Sequence, residues 1–308
     1  MANSKVKLEN CRRQILSYAK ILIGFAYLMI GAPGLESKII AFVIHEVDDT
    51  PNGHARLTHT CISKANFLDQ ISSLSDHFEF LNPATDPQWH KKSGCLITFD
   101  DGYRGSLNAA RNLDALGIAS IHFLNLETVT GKINSSTLIH YKSFKSGKQV
   151  DWSKSTPEFV ERLTSELTET ELQDLIEFAG PYLDTKELDE LQSLTYVVVG
   201  DHFLNHWYGN SLSEKEVVEN LSLVTNDYSG TLEMSPYFAA PHGVLDEGKI
   251  KIIGNQGYKV IFSGQRWTKV GNTTIIPRID LNDTINSKYS LFGAIAVLVL
   301  KSKLKFRI

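Results

Sequence analysis

At 308 residues, with 42% apolar content and a formal net charge of −4, the chain can bury one large core and carries no basic excess that would draw it to nucleic acid. Its three cysteines, Cys11, Cys61 and Cys95, are widely spaced and odd in number. That excludes a disulfide framework and a zinc knuckle, and suits a reducing compartment.

Lys5, Lys7, Arg12 and Arg13 precede an apolar run from Ile15 to Ile30, interrupted by Lys20 and closed by Gly31-Ala32-Pro33-Gly34. On a helical wheel Arg13, Ser17, Lys20, Gly24, Tyr27 and Gly31 form a thin polar stripe opposite a wide apolar face. A signal peptide shares the basic start and apolar centre, but Lys20 inside the run and the want of a small-residue cleavage site speak against one. Residues 1–36 are expected to form an apolar helix, with docking in a membrane interface favoured over a signal-anchor or simple packing.

Ile39 to Ile44 reads as a short apolar strand ending in His45-Glu46-Val47. Phe67, Ile71, Leu74 and Phe78 mark an amphipathic helix. The next strand, Leu96-Ile97-Thr98-Phe99, delivers Asp100 and Asp101 to a rim before Gly102 and Tyr103. Neighbouring residues of a strand point to opposite sides, so one aspartate could hold a cation while the other handles protons. A helix over Leu107 to Leu116 and a strand over Ala119 to Leu124 follow, His122 inside that strand being read as core. Residues 128–183 are polar, charged and helical in pattern, either a solvated insertion or a lid over the substrate.

A strand from Tyr196 to Val199 opens into Asp201-His202-Phe203-Leu204-Asn205-His206. Histidines four apart on a helical turn share a face, so both imidazoles could reach one metal ion, with a carboxylate as third ligand. Ser213 with Glu216 has the capping-box form. Tyr237-Phe238-Ala239-Ala240-Pro241-His242-Gly243 lies farther on, followed by strands in Gly257 to Ser263 and Ile275 to Ile279. Residues 286–308 hold an apolar run from Tyr289 to Leu300, too short to span a bilayer, and then Lys301, Lys303, Lys305 and Arg307. This basic end suits contact with anionic lipid or a last packed helix with a solvated tail. Alternating strands and helices imply an α/β fold with a parallel sheet and no second domain.

Taken in order, three of these segments resemble the NodB-homology polysaccharide deacetylases, carbohydrate esterase family 4. Thr98-Phe99-Asp100-Asp101-Gly102 matches that family's T-F-D-D-G motif. His202 and His206 match its H-[ST]-x-x-H motif, with Phe203 at the hydroxyl position. Phe238 to Gly243 matches F-R-x-P-x-G in part, Ala239 standing where many members have arginine. Ile44-His45-Glu46-Val47 is similar to the early Y-H-x-V motif of the exopolysaccharide deacetylase subset.

The resemblance implies an irregular (β/α) barrel over residues 37–285, flanked by the N- and C-terminal apolar helices, with its site at the C-terminal strand ends. It implies Asp101, His202 and His206 as ligands of a divalent metal, zinc above all, with cobalt or another first-row ion acceptable. Asp100 would be the base, and the main-chain amide of Tyr103 would help hold the oxyanion. The leaving amine also needs an acid. No histidine follows His242, so His45 and His242 are the candidates, with His45 preferred because the early histidine serves that role in the subset. The expected reaction is metal-dependent removal of N-acetyl from an amino sugar of a polysaccharide or lipid-linked saccharide. Removal of formyl, or a non-catalytic saccharide- or partner-binding role, are the alternatives. The expected location is a membrane surface, on the cytoplasmic face rather than in the periplasm or outside the cell.

Overall fold

The structure, a computed structural model, describes every residue except 1–15, 17, 37, 149–150, 152–154, 229–231, 265 and 304–308. The basic N-terminal residues, Ile15, Ser17, Lys305 and Arg307 lie outside that description.

Nine strands form one sheet in the order β11-β1-β4-β5-β6-β7-β8-β10-β9. They are β1 (Ile39–Ile44), β4 (Gly94–Asp101), β5 (Ser120–Leu124), β6 (Val197–Asp201), β7 (Met234–Ala239), β8 (Val260–Phe262), β9 (Thr268–Val270), β10 (Thr273–Ile276) and β11 (Arg278–Asp280), with β2 (Glu46–Val47) and β3 (Cys61–Ile62) paired apart. Every pairing in the large sheet is parallel except β9 with β10. Continuous burial along β1 explains why its sequence reads as an unbroken apolar run: both faces are covered, as they are along β5, where Ser120 and His122 are buried too. Among the described residues the two ends of the sheet do not pair, so the expected irregular barrel is present but open. Pro277 splits the stretch expected as one strand into β10 and β11, and so brings the last strand round to β1.

Helices cover the sheet. Phe67, Ile71 and Leu74 of α3 (Lys64–Ser75) and Leu107 and Leu113 of α4 (Gly105–Ala115) are buried as their spacing predicts. Between β5 and β6 run α5 (Leu126–Val129), α6 (Ser135–Ser146), α7 (Pro157–Ser165), α8 (Glu169–Ala179) and α9 (Thr185–Ser193). They share a core with the second half of the sheet, in which Leu138, Tyr141, Val160 and Leu175 pack in one cluster with Phe203, Trp207 and Phe238. This segment therefore lies against the second histidine motif. The capping box at Ser213 forms, the Glu216 amide donating to the Ser213 hydroxyl at 3.2 Å and the Ser213 amide to the Glu216 carboxylate at 2.6 Å.

Two apolar helices complete the packing. One, α1, covers residues 18–29, and the other, α12, runs Lys288–Lys303. Tyr27 joins Leu291, Phe292, Ile295 and Val299 in the core beneath β1. The helices touch backbone to backbone: a Cβ on Gly24 would lie 1.8 Å from the Tyr289 carbonyl oxygen, and one on Gly293 2.0 Å from that of Lys20. Among the described residues no helix is long and apolar enough to cross a membrane.

One buried carboxyl gives a pH test of this packing. Glu46 is 3% exposed and is pushed up to about 7 by burial and by Asp48, against a hydrogen bond from Asn52. An acid whose folded value lies above its unfolded one weakens the fold as pH rises through the interval, here roughly 4.5 to 7. Glu46→Gln should therefore raise stability by roughly 2–3 kcal/mol at pH 8 and leave it unchanged at pH 4. Denaturant melts at the two pH values check this, and equal effects at both would contradict it.

Candidate metal centre

The first motif closes β4. Asp100 continues the strand, but Asp101 turns into the left-handed region (φ 71) and Gly102 follows it (φ 78). The turn is held from outside, because the Leu183 amide donates to the Gly102 carbonyl at 2.9 Å and the Arg104 amide to that of Pro181 at 3.0 Å. This overturns the expectation of carboxylates on opposite sides. Nε2 of His202 lies 3.6 Å from Asp100 Oδ2 and 3.5 Å from Asp101 Oδ1, so both acids face one point. Strand alternation fails here because a residue at positive φ no longer follows the pleat.

The second motif also departs from its expected form. Residues 202–207 make no helical turn; Phe203 (φ 57) and His206 (φ 53) are left-handed instead. The reason is that side chains claim the backbone groups a helix would use. The Phe203 amide donates to Asp201 at 2.8 Å and the Leu204 amide to Asn220 at 3.0 Å. The Asn125 amide group donates to the carbonyls of His202 and Phe203, and the Ser135 hydroxyl to those of Asn205 and His206. Backbone strain of about 1 kcal/mol or more at each left-handed site is thus held in place by a buried polar network.

Asp101, His202 and His206 are brought together, with one donor atom from each lying within 4.8 Å of the others. The Nδ1–H of His202 donates to the Ala239 carbonyl at 2.8 Å, which leaves the Nε2 lone pair directed at Asp101. His206 Nε2 is 3.3 Å from Asp101 Oδ1. Asp101 Oδ1 and His202 Nε2 are both buried without a hydrogen-bond partner, a costly state for polar atoms unless a cation engages them. Burial raises the Asp101 carboxyl, but the His206 and His202 imidazoles outweigh it and hold it below the usual range. Burial keeps His206 neutral, at about 3. On His202 burial is opposed by Asp100 and Asp101, which draw positive charge onto the ring. Two imidazoles and one carboxylate fit a divalent first-row ion.

Asp100 is held by a residue that sequence reasoning passed over. Arg278 of β11 grips it bidentately, with Nη1 to Oδ1 and Nη2 to Oδ2 both 2.6 Å, and Nη1 also donates to Thr98 at 3.1 Å. The guanidinium lies over the rings of Phe123 and Phe262. Burial pushes the Asp100 carboxyl up, and Arg278 and His202 more than reverse it. Ala239, where the family motif has arginine, makes no such contact. A signal existed in the arginine itself: set in an apolar strand beside Pro277, it would be buried, and buried arginines are paired.

A cleft of about 630 Å³ opens over the centre, its wall including His45, Asp100, His206, His242 and Arg278. His45 enters it half-exposed from the end of β1. His242 sits at φ 60 in a tight turn closed by the Gly243 amide on the Ala240 carbonyl at 2.9 Å, its ring centroid 4.6 Å from that of His206. Burial and His206 push it down to about 2. Tyr103 is buried: its ring stacks on Tyr182 and its hydroxyl meets His54 Nδ1 at 2.7 Å, while His54 Nε2 meets His140 Nδ1 at 2.8 Å. Neither His54 nor His140 stands at a strand end, so neither was singled out in sequence. His122 stacks on Phe99 inside the core.

No protein-family model and no curated protein sequence matches the chain. Solved structures do. IcaB from Ammonifex degensii aligns at TM-score 0.54 and 16% identity, over 84% of this chain and 97% of its own. A polysaccharide deacetylase from Bacillus cereus aligns at 0.52 and 14%, over 86% and 69%. A de-N-acetylase from Aggregatibacter actinomycetemcomitans aligns at 0.54 and 12%, over 83% and 99%. At such identities the likeness is one of architecture, and it bears out the motif resemblance at that level: the chain has the fold of the polysaccharide deacetylases.

Proposed function

We propose that the chain is a metal-dependent hydrolase removing an N-acetyl group from an amino sugar of a polysaccharide or lipid-linked saccharide. One observation carries this reading: Asp101, His202 and His206 converge on a buried point that Asp100, clamped by Arg278, also faces. A fold-level likeness to deacetylases supports it. Asp101, His202 and His206 would hold a divalent ion there, which would supply Lewis acidity towards the attacking water and the acyl carbonyl.

This chain's own groups do the rest. Asp100, kept ionised and immobile by Arg278, takes the attacking water's proton. The main-chain amide of Tyr103 helps hold the oxyanion. The leaving nitrogen must be protonated, and His45 is the donor: it reaches the cleft from β1, whereas His242 is held neutral by its burial. His45→Ala should retain the metal and lose turnover by about 10²–10⁴-fold, with His242→Ala milder. Wild-type turnover in His45→Ala, with loss in His242→Ala, would exchange the two roles.

The decisive experiment incubates the purified, metal-analysed protein with N-acetylglucosamine oligosaccharides and measures free acetate and new amine. Stoichiometric release that disappears on chelation is expected. Release only from an N-formyl sugar would make the chain a deformylase, and binding without release from either would make it a saccharide-binding protein.

A further inference from the structure

The cleft is not polar throughout. Beyond His45 and Asp100 its far wall is built by the two terminal helices: Lys20 from α1, and Ala294, Val297, Leu298 and Lys301 from α12. The Gly24–Gly293 contact locks these helices together, so the wall and their outer surface form one body. That outer surface is apolar. Leu22 is 70% exposed, Met29 72% and Ile30 69%, and Phe25, half-exposed, packs edge-on to Tyr289. Contiguous exposed side chains of this size mark a surface that another apolar phase covers. Lys20 stands on the opposite, cleft-facing side of α1, Lys301 and Lys303 close the end of α12, and none of them is in an ion pair among the described residues. Asp280 stands exposed on the facing wall.

We infer that this plateau docks on an anionic lipid leaflet, and that Lys20 and Lys301 bind the phosphate of a lipid-anchored amino sugar entering the cleft from that leaflet. Charge and polarity fit together. A helix with an apolar outer face and lysines on its other side settles at the boundary between headgroups and acyl chains. That depth places the mouth of the cleft where a lipid's phosphate lies, with Val297 and Leu298 beside the chain and His45 and Asp100 deeper, at the sugar. The inference takes the proposed deacetylation as its chemistry and adds the substrate's anchor and charge.

The test uses the full chain. Flotation with phosphatidylcholine vesicles, with and without phosphatidylglycerol, needs no turnover and so reads the surface apart from the chemistry. Binding should require phosphatidylglycerol and weaken with salt. Leu22→Asp and Met29→Asp, on the exposed face, should each weaken it about tenfold while acetate release from soluble N-acetylglucosamine oligosaccharides stays unchanged, which also reports intact folding. In a second arm, prenyl-diphosphate-linked N-acetylglucosamine is compared with its uncharged methyl glycoside. Lys20→Ala and Lys301→Ala should each raise the ratio of their KM values about fivefold. The inference falls if the aspartate variants float like wild type, or if the KM ratio does not move. It falls equally if the plateau joins two copies of the chain, seen as a dimer that Leu22→Asp dissociates, without flotation.

Discussion

Arg278→Met is expected to cost about 3–5 kcal/mol of folding stability and to slow turnover while leaving metal content at the wild-type level. The size follows from burial. Asp100 is 3% exposed, and both of its oxygens are spent on the guanidinium. Without that partner a charged carboxylate remains desolvated, with the His202 and His45 imidazoles alone to offset it. Arg278→Lys should recover part of the stability and little of the rate, because an ammonium cannot hold both oxygens in one plane. In Arg278→Met with Asp100→Asn, the orphaned charge is gone, so stability should return towards wild type although activity does not. Denaturant titration of wild type, these three variants and the Asp100→Asn single variant decides this; additive losses in the double variant would show that Arg278 acts by packing alone.

His206→Ala and Asp101→Ala should each lose most of the metal and most of the activity together, whereas Asp100→Asn should keep the metal and lose about 10²–10⁴-fold in rate. The separation arises because Asp101 Oδ1 is the oxygen both imidazoles face, at 3.5 and 3.3 Å, while Asp100 is committed to Arg278. Metal quantification after purification without added ions, beside acetate release, reads both quantities. Full metal content in His206→Ala would remove it from the ligand set. Stability should follow occupancy, since ions that bind only the folded state stabilise it by mass action.

Much of this centre was legible before any coordinates. A continuous apolar run gave β1 its bounds, β5 was placed to within one residue, and the adjacent acids and spaced histidines named residues that meet. Their local geometry was not legible. Strand alternation and helical spacing are rules for regular backbone, and Asp101, Phe203 and His206 are at positive φ because distant groups, Asn125, Ser135 and Leu183 among them, hold them there. Arg278 stayed hidden for a related reason. Its partner is 178 positions away, and only the placement of β11 beside β1 brings them together. His54 and His140, 86 positions apart, meet through the same kind of long-range closure.

The contact between Gly24 and Gly293 also bears on synthesis. The two residues are roughly 270 positions apart, so at about 5–20 residues per second the first helix waits roughly 15–50 s for the partner that covers it. Contacts of such sequence separation form late. The segments carrying Asp100, Asp101, His202 and His206 leave the ribosome before α12, whereas the cleft's basic wall is assembled last. A nascent chain stalled before residue 288 should therefore bind the cation while its first helix is still held by a chaperone or a lipid surface, and ion capture would precede closure of the cleft.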